Sequence, residues 1–317
     1  MKLLDFTTTF PDEETCKAKF REQREKQGVV CPKCGCRHHY WKTCRSEFQC
    51  AKCGHRQGLR VGTVMHSSKL PFRDWFIAMH LLTATKHTIS AAELQYQLGR
   101  RRYQPVWEML HKLRSVMGKR DGMYTLGGNV ELDEGFFSTE TAEDEKDEKL
   151  KAGVGSQKKS KVVVMAETKE PLVPKKGQKQ TAVRYIKMKV VENLKSDTID
   201  YVAGFNIELE STVVTDASSS HTHFKKMFKV HKSQVIEPKD IEKMLPWVHT
   251  TISNAKALLL DTYHGVKREF LQAYLNEFCY KFNRRYFRGV IFDRLLDISV
   301  MYRSDFEHRI YNHCLAA

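Results

Sequence analysis

The sequence predicts an α/β protein in which a mixed-sheet domain follows a small cysteine-bearing module and a helical one. Three observations carry that prediction. Seven of the nine cysteines fall between Cys16 and Cys53. From Pro71 to Met117 the apolar residues recur at helical spacing. After Gly127–Gly128 they gather into four short strand-like runs, three of them rich in β-branched residues. At 317 residues the chain is long enough for two or three domains with at least one sizeable core. The boundaries read as an N-terminal helical segment (1–28), the cysteine module (29–66), the helical domain (67–124), the sheet domain (125–300, with a charged loop at 139–161) and a C-terminal tail (301–317).

The cysteine module reads CPKCGCRHHYWKTCRSEFQCAKCG. Cys31 and Cys34 form one C-x2-C knuckle, and Cys50 and Cys53 form another after residues 35–49. Two residues between thiolates let both sulfurs face one ion, and two such pairs complete a closed tetrahedral Zn²⁺ site. The residues between the knuckles alternate enough to be a hairpin, so the module reads as a zinc ribbon. Gly35 and Gly54 suit the turns after each knuckle. A thioredoxin-type redox motif would need only one pair. Cys36 and Cys44 are left over as packing residues, and His38, His39 and His55 are unnecessary as ligands beside four thiolates.

In the helical domain, PFRDWFIAMHLLTATKH carries Trp75, Phe76, Met79, Leu81 and Leu82 on one broad face. Ser90 is placed to cap a helix with apolar Leu94 and Leu98, and Gly99 stops it. A second helix carries Val106, Trp107, Leu110, Leu113 and Met117. Two helices joined by a short glycine turn, with Arg100, Arg101, Arg102, Lys112 and Arg114 around them, form a helix-turn-helix-like pattern in which those cations contact DNA. The whole chain is basic: 53 Lys+Arg against 38 Asp+Glu gives +15 and a pI near 9.3. Such a charge favours a polyanion, nucleic acid above all. No apolar run is long enough to span a membrane. The N-terminus MKLLDFTTTFPDEET is a poor signal peptide, so a cytoplasmic location is expected.

The strand-like runs are NVELDEGFF (129–137), KVVVMAET (161–168), TAVRYIKMKVV (181–191) and STVVTD (211–216), with a helix expected from Val191–Glu192. The stretch 139–161 has no apolar period and reads as a solvated loop. Asp133 and Asp216 each lie on or at the end of a hydrophobic strand. Neighbouring strands of one sheet would bring the two carboxylates to shared Mg²⁺ ions, which suits phosphoryl transfer. In the last third a long amphipathic helix is expected over 265–285, with Phe270, Leu271, Tyr274, Leu275, Phe278 and Phe282 apolar. Another helix opens near Asn254, with Ser253 or Asn254 as its N-cap.

Taken in order, CPKC…CAKCG, AAELQYQLG…VWEMLHKLR, VELDEGFF, VVTDASS, HTTISNAK and YHGVKREFLQAYLNEFCYKFNRR span nearly the whole chain. In this order they resemble the bacterial insertion-sequence transposases of the family numbered 1595. The resemblance implies an RNase H-like core and a DDE-type site whose third member is asparagine, followed by a lysine. It places the first two members at Asp133 and Asp216, the third at Asn254 and the lysine at Lys256. An amide carbonyl brings no charge, so the second ion would be held more weakly; Glu131 or Glu134 could compensate, and His249 could approach the phosphate instead. The implied chemistry, with Mg²⁺ or Mn²⁺, is hydrolysis at the element's 3′ ends and attack of the freed hydroxyls on target DNA, by at least a dimer on DNA. Its rivals are a DNA-binding regulator, a nuclease that cuts without joining, and an inactive relative that keeps the fold.

Overall fold

The computed structural model describes residues 1–141, 156–169, 181–234, 245–263 and 265–306. Most of the predicted charged loop and the end of the tail therefore lie outside the described residues. The chain divides into two compact units, one formed by Met1–Arg120 together with the described residues from Tyr286 onward, and a second, Asp121–Arg285.

In the first-numbered unit, α1 (Leu3–Thr9) and α2 (Glu13–Gln27) precede a three-stranded antiparallel sheet of β1 (His39–Lys42), β2 (Glu47–Cys50) and β3 (Arg56–Gly58). Three helices follow: α3 (Phe72–Ala84), α4 (Ala91–Gln97) and α5 (Tyr103–Gly122). The Glu13 carboxylate on α2 accepts the Phe72 and Arg73 amides at 2.8 Å each, satisfying orphan donors at the start of α3. Ser90 caps α4 by accepting the Glu93 amide at 3.1 Å, and Gly99, at φ +61°, ends it, both as expected from sequence. The last helix, Ile291–Met301, packs on α2 and α3, with Phe292 among Phe6, Phe10 and Phe76. This helix falls almost wholly inside the 125–300 span expected for the sheet domain, yet it finds its apolar partners in the N-terminal unit.

The second unit is built on a five-stranded sheet with strands in the order β6-β5-β4-β7-β8. These are β4 (Asn129–Ser138), β5 (Lys159–Lys169), β6 (Ala182–Val191), β7 (Thr212–Asp216) and β8 (Val230–Gln234). The β4–β5 and β5–β6 pairs are antiparallel, whereas β7 lies parallel to β4 and β8 parallel to β7. Three antiparallel strands continued by parallel ones, with helices on both faces, is the arrangement of an RNase H-like core. The short, charged β8 (VHKSQ) was not expected from sequence, and α6 (Ser196–Asn206) starts later than predicted because β6 runs on to Val191.

Each sheet face has its own core. One face carries α6 and α7 (Phe224–Met227) over Val130, Leu132, Val163, Met165 and Val213. The other carries α8 (Pro246–Thr262) and α9 (Leu271–Asn283) over Phe137, Val162, Val164 and Ala166. A 3₁₀ turn, Arg268–Phe270, precedes α9, so the long helix expected over 265–285 is shorter. α9 also closes the open edge of β6. The Asn283 amide accepts the Ile186 N–H at 2.8 Å and donates to its carbonyl at 3.0 Å. Gln272 does the same for the Val190 N–H and the Met188 carbonyl. Two amide side chains thus replace a sixth strand and blunt an edge that would otherwise pair with other chains.

Candidate functional site

The ribbon's metal site is assembled by two turns of the same design. In each, the first cysteine's carbonyl accepts the amide of a glycine four residues on: Gly35 to Cys31 at 2.9 Å and Gly54 to Cys50 at 3.1 Å. Both glycines hold positive φ, +69° and +70°. Cys31, Cys34, Cys50 and Cys53 then place their sulfurs within 4.8 Å of one another, with Cys31–Cys53 at 3.6 Å and Cys34–Cys50 at 3.5 Å. A tetrahedron of Zn–S bonds near 2.3 Å has edges of about 3.8 Å, so the four thiols fit the ion. The Cys53 amide, and behind it that of Lys52, point at the Cys50 sulfur and hold that thiol down to about 6. Cys36 and Cys44 stay outside the cluster, as expected.

The carboxylate site grows from sheet register. The parallel β4–β7 pairs run Asn129–Thr212, Val130–Val213 and Glu131–Val214. Asp133 and Asp216 each stand two residues beyond the last pair, so pleat alternation turns both toward the face covered by α8. The Asp133 side chain is 16 % exposed. Burial, with the charges of Glu134 and Asp216 behind it, pushes its carboxyl up to about 7, although the Glu134 amide donates to Oδ1 at 2.8 Å. Asp216 goes the other way: His221 and the Ser218 amide hold its carboxyl below the usual range. A buried carboxylate strained toward protonation beside an ionised one is a pair short of positive charge. With hard oxygen donors on offer, it fits Mg²⁺ or Mn²⁺.

The residues that sequence placed around this pair have other positions. α8 starts at Pro246, not near Asn254. Its first amides, from Trp247 and Val248, donate to Glu131 Oε2 at 2.8 and 3.0 Å. Glu131 is thereby engaged as a cap from another strand and does not compensate for the missing third carboxylate, and neither Ser253 nor Asn254 is an N-cap. His249 does approach the pair, with Nδ1 3.6 Å from Asp133 Oδ2. Lys256 follows on the same helical face, its ammonium over the Phe137 ring at 5.7 Å. At about 100° per residue Asn254 stands roughly 140° around the helix from His249, and it is exposed. The structure therefore brings Asp133, Asp216 and His249 together, and leaves Asn254 on the outer side of α8.

Two further residues complete the pocket, and sequence reasoning gave neither this role. His221, 1 % exposed, lies between Glu134 Oε1 (2.9 Å from Nε2) and Asp216 Oδ1 (3.1 Å from Nδ1). Burial lowers its pKa, but the two carboxylates outweigh burial and raise it to about 9. The signal available in the sequence was a histidine closing the hydroxyl-rich loop DASSSH after β7.

Of the cations assigned to DNA, Arg101 and Arg102 are exposed. Arg100 is clamped by Asp74 through two bonds of 2.7 and 2.8 Å, and Lys112 donates to the His66 carbonyl at 2.8 Å. Arg114 is 1 % exposed. It is a packing residue of α5 rather than a phosphate contact, because the helix face it occupies is the buried one. No helix among the described residues is long and apolar enough to cross a membrane.

The ISXO2-like transposase domain model of the IS1595 group matches residues 125–283, half of the chain, and the transposase zinc-ribbon domain model matches residues 11–56. The chain belongs to the IS1595 transposase family. It is thus a DNA transposase by family, with its ribbon and its carboxylate site inside the matched regions. No curated protein matches it. Among solved structures it is similar to the crystal structure of a pre-cleavage Mos1 transpososome, at 11% identity over 73% of this chain and 80% of that one, TM-score 0.27. The Mos1 transposase paired-end complex with left transposon end is similar at 12% identity over 72% and 79%, TM-score 0.26. Likenesses this loose carry no functional weight.

Proposed function

We propose that this transposase frees 3′-hydroxyls at the ends of its element and joins them to target DNA, with Asp133 and Asp216 as the residues that hold Mg²⁺ or Mn²⁺. The observation that carries the reading is the equal register of the two carboxylates on adjacent parallel strands, on one sheet face. When bound, divalent ions activate the attacking oxygen and stabilise the leaving one in phosphoryl transfer. The chain's own residues prepare the site. Asp133 and Asp216 present oxygens from a sheet whose β6 edge is secured by α9 and whose face is covered by α8. His249 and Lys256 line one face of α8, where the Lys256 ammonium supplies positive charge and His249 a ring beside the position of a scissile phosphate. Asn254, the third member by family pattern, would need α8 to turn before its carbonyl reached the pair, so the reading rests on the two aspartates.

The four ribbon cysteines would hold Zn²⁺ in a structural role, since they close the coordination shell and leave no position for substrate. Arg101 and Arg102 are the proposed phosphate contacts of the helical domain, and its affinity for DNA would fall steeply with salt. Two ends must be cut and joined together, which calls for at least a dimer on DNA, acting in the cytoplasm where the element resides. The test is to place the gene with its native flanking DNA on one plasmid and score insertions into a second. Wild type should insert and stably expressed Asp216→Ala should not; equal insertion by both would refute the role of Asp216.

A further inference from the structure

The loop that leaves β7 at Asp216 folds back on its own aspartate. The Ser218 amide donates to Asp216 Oδ1 at 3.2 Å. Ser218 Oγ accepts the Ser220 amide at 3.3 Å, and the Ser220 hydroxyl donates to the Leu194 carbonyl at 3.0 Å. These bonds carry the chain through one 3₁₀ turn, Ser219–His221, and deliver His221 to the sheet. Its ring packs 5.2 Å from that of Phe224, a fully buried member of the core under α6 and α7. From there Nδ1 meets Asp216 Oδ1 at 3.1 Å and Nε2 meets Glu134 Oε1 at 2.9 Å.

The side of the sheet matters. Glu134 follows Asp133 on β4 and so points to the opposite face, away from α8. It reaches the site only through His221, which stands at the end of β7 where the two faces meet. Both described contacts of the Asp216 carboxylate, from His221 and from Ser218, fall on Oδ1. Oδ2 is thereby the oxygen left to face the proposed metal. An aspartate at a strand's last residue, its side chain 36 % exposed, would otherwise be free to change rotamer.

We propose that Glu134 and His221 are positioning residues for Asp216: Glu134 anchors the imidazole, and the imidazole fixes the rotamer in which Asp216 offers Oδ2. The inference rests on the reading of Asp216 as a metal ligand. His221 is not a catalytic residue in this account, because a ring 1 % exposed does not touch DNA. Glu134, Asp216 and His221 also place ligand atoms within 4.8 Å of one another, but the 2.9 Å contact to Glu134 Oε1 already occupies Nε2.

The test measures Mn²⁺ affinity by calorimetry on the full-length, zinc-loaded protein, with thermal melting recorded without added Mn²⁺. Groups that hydrogen-bond a metal ligand contribute about 10- to 100-fold to metal affinity, and His221→Phe, which keeps a ring against Phe224, should lose Mn²⁺ affinity in that range. Glu134→Gln keeps an acceptor for the ring but not its charge; it should show a smaller loss at an unchanged melting midpoint, which a merely structural role would not produce. Mn²⁺ binding as tight as wild type, or tighter, in Glu134→Gln and in folded His221→Phe would overturn the proposal. If His221→Phe does not fold, Glu134→Gln decides alone by the same criterion. Asp216→Asn separates the two levels: loss of Mn²⁺ binding there with none in the other variants removes only the positioning role. Wild-type binding by Asp216→Asn removes the metal pair itself.

Discussion

The zinc ribbon and the carboxylate site are both candidate metal centres, but they are built on opposite plans. The ribbon takes its four ligands from residues 31–53, held by two local turns of one design, and little outside that segment is needed to bring the sulfurs together. The carboxylate site takes Asp133 from β4, Asp216 from β7 and His249 from α8, and the sheet has to form before any of them are neighbours. On the proposed reading, one centre would fold by binding its ion, and the other would be folded before it bound one. Metal and stability should therefore be coupled strongly in the ribbon and weakly in the core.

The largest effect is expected at the ribbon. Zn²⁺ binding in such modules is worth about 10–16 kcal/mol of folding free energy, so Cys50→Ser should lose the ion and leave the ribbon protease-sensitive. Metal analysis of the purified protein and limited proteolysis would show this, with the Asp121–Arg285 unit still resistant. A Cys50→Ser protein that retained stoichiometric zinc and an intact ribbon would remove the distinction.

A smaller effect is expected where α8 meets β4. A Cβ on Gly135 would stand 3.1 Å from the Phe137 ring and 3.3 Å from Ile252, so in Gly135→Ala those side chains must give by a few tenths of an ångström between strand and helix. Overpacking of this kind costs about 1–3 kcal/mol. The melting midpoint of the core should fall while the zinc content stays at wild type. An unshifted midpoint would mean that α8 gives way freely, and that the position of His249 beside Asp133 is not enforced by packing.

The smallest effects belong to the exposed cations. Arg101→Ala and Arg102→Ala should each weaken DNA binding about uniformly across sequences and lower the salt slope by about one. Arg114→Ala, inside the helical unit, should lower stability instead. Binding measured across a salt series, beside a melt of each variant, separates the two; a salt-slope change in Arg114→Ala at unchanged stability would contradict its placement.

How much was legible in the sequence follows the same division. The ribbon's ligands could be read from spacing alone, because the geometry that unites them is local. The strands of Asp133 and Asp216 could also be read, the first from its apolar Val130, Leu132, Phe136 and Phe137 after the Gly127–Gly128 break and the second from its β-branched run Thr212–Thr215. What joins them could not. The start of α8 is capped by Glu131 from a strand more than a hundred residues earlier in the chain, so no local capping residue marks it, and the cap-like Ser253 and Asn254 lie inside the helix instead. Pro246 at the first helical position was the only local sign. β8 was missed because its polar side chains hide a strand that completes the sheet edge. Strand alternation turns Glu134 away from Asp133's face, and only the fold-back of the DASSSH loop, through His221, makes it part of the site. The basic residues show the reverse error, since charge alone does not reveal that Arg114 is enclosed and Arg100 already paired.

The central claim is that Asp133 and Asp216 form one divalent-metal site for DNA strand cleavage. Its most direct test is nicking of a supercoiled plasmid that carries the native flanking DNA, by purified zinc-loaded protein with Mn²⁺ added. Metal-assisted charge stabilisation is worth several kcal/mol, about 10³-fold in rate, and Asp133→Ala and Asp216→Ala should each lose nicking on that scale while keeping their zinc and their DNA binding. Nicking that persisted in either variant, or that proceeded equally without a divalent ion, would contradict the account.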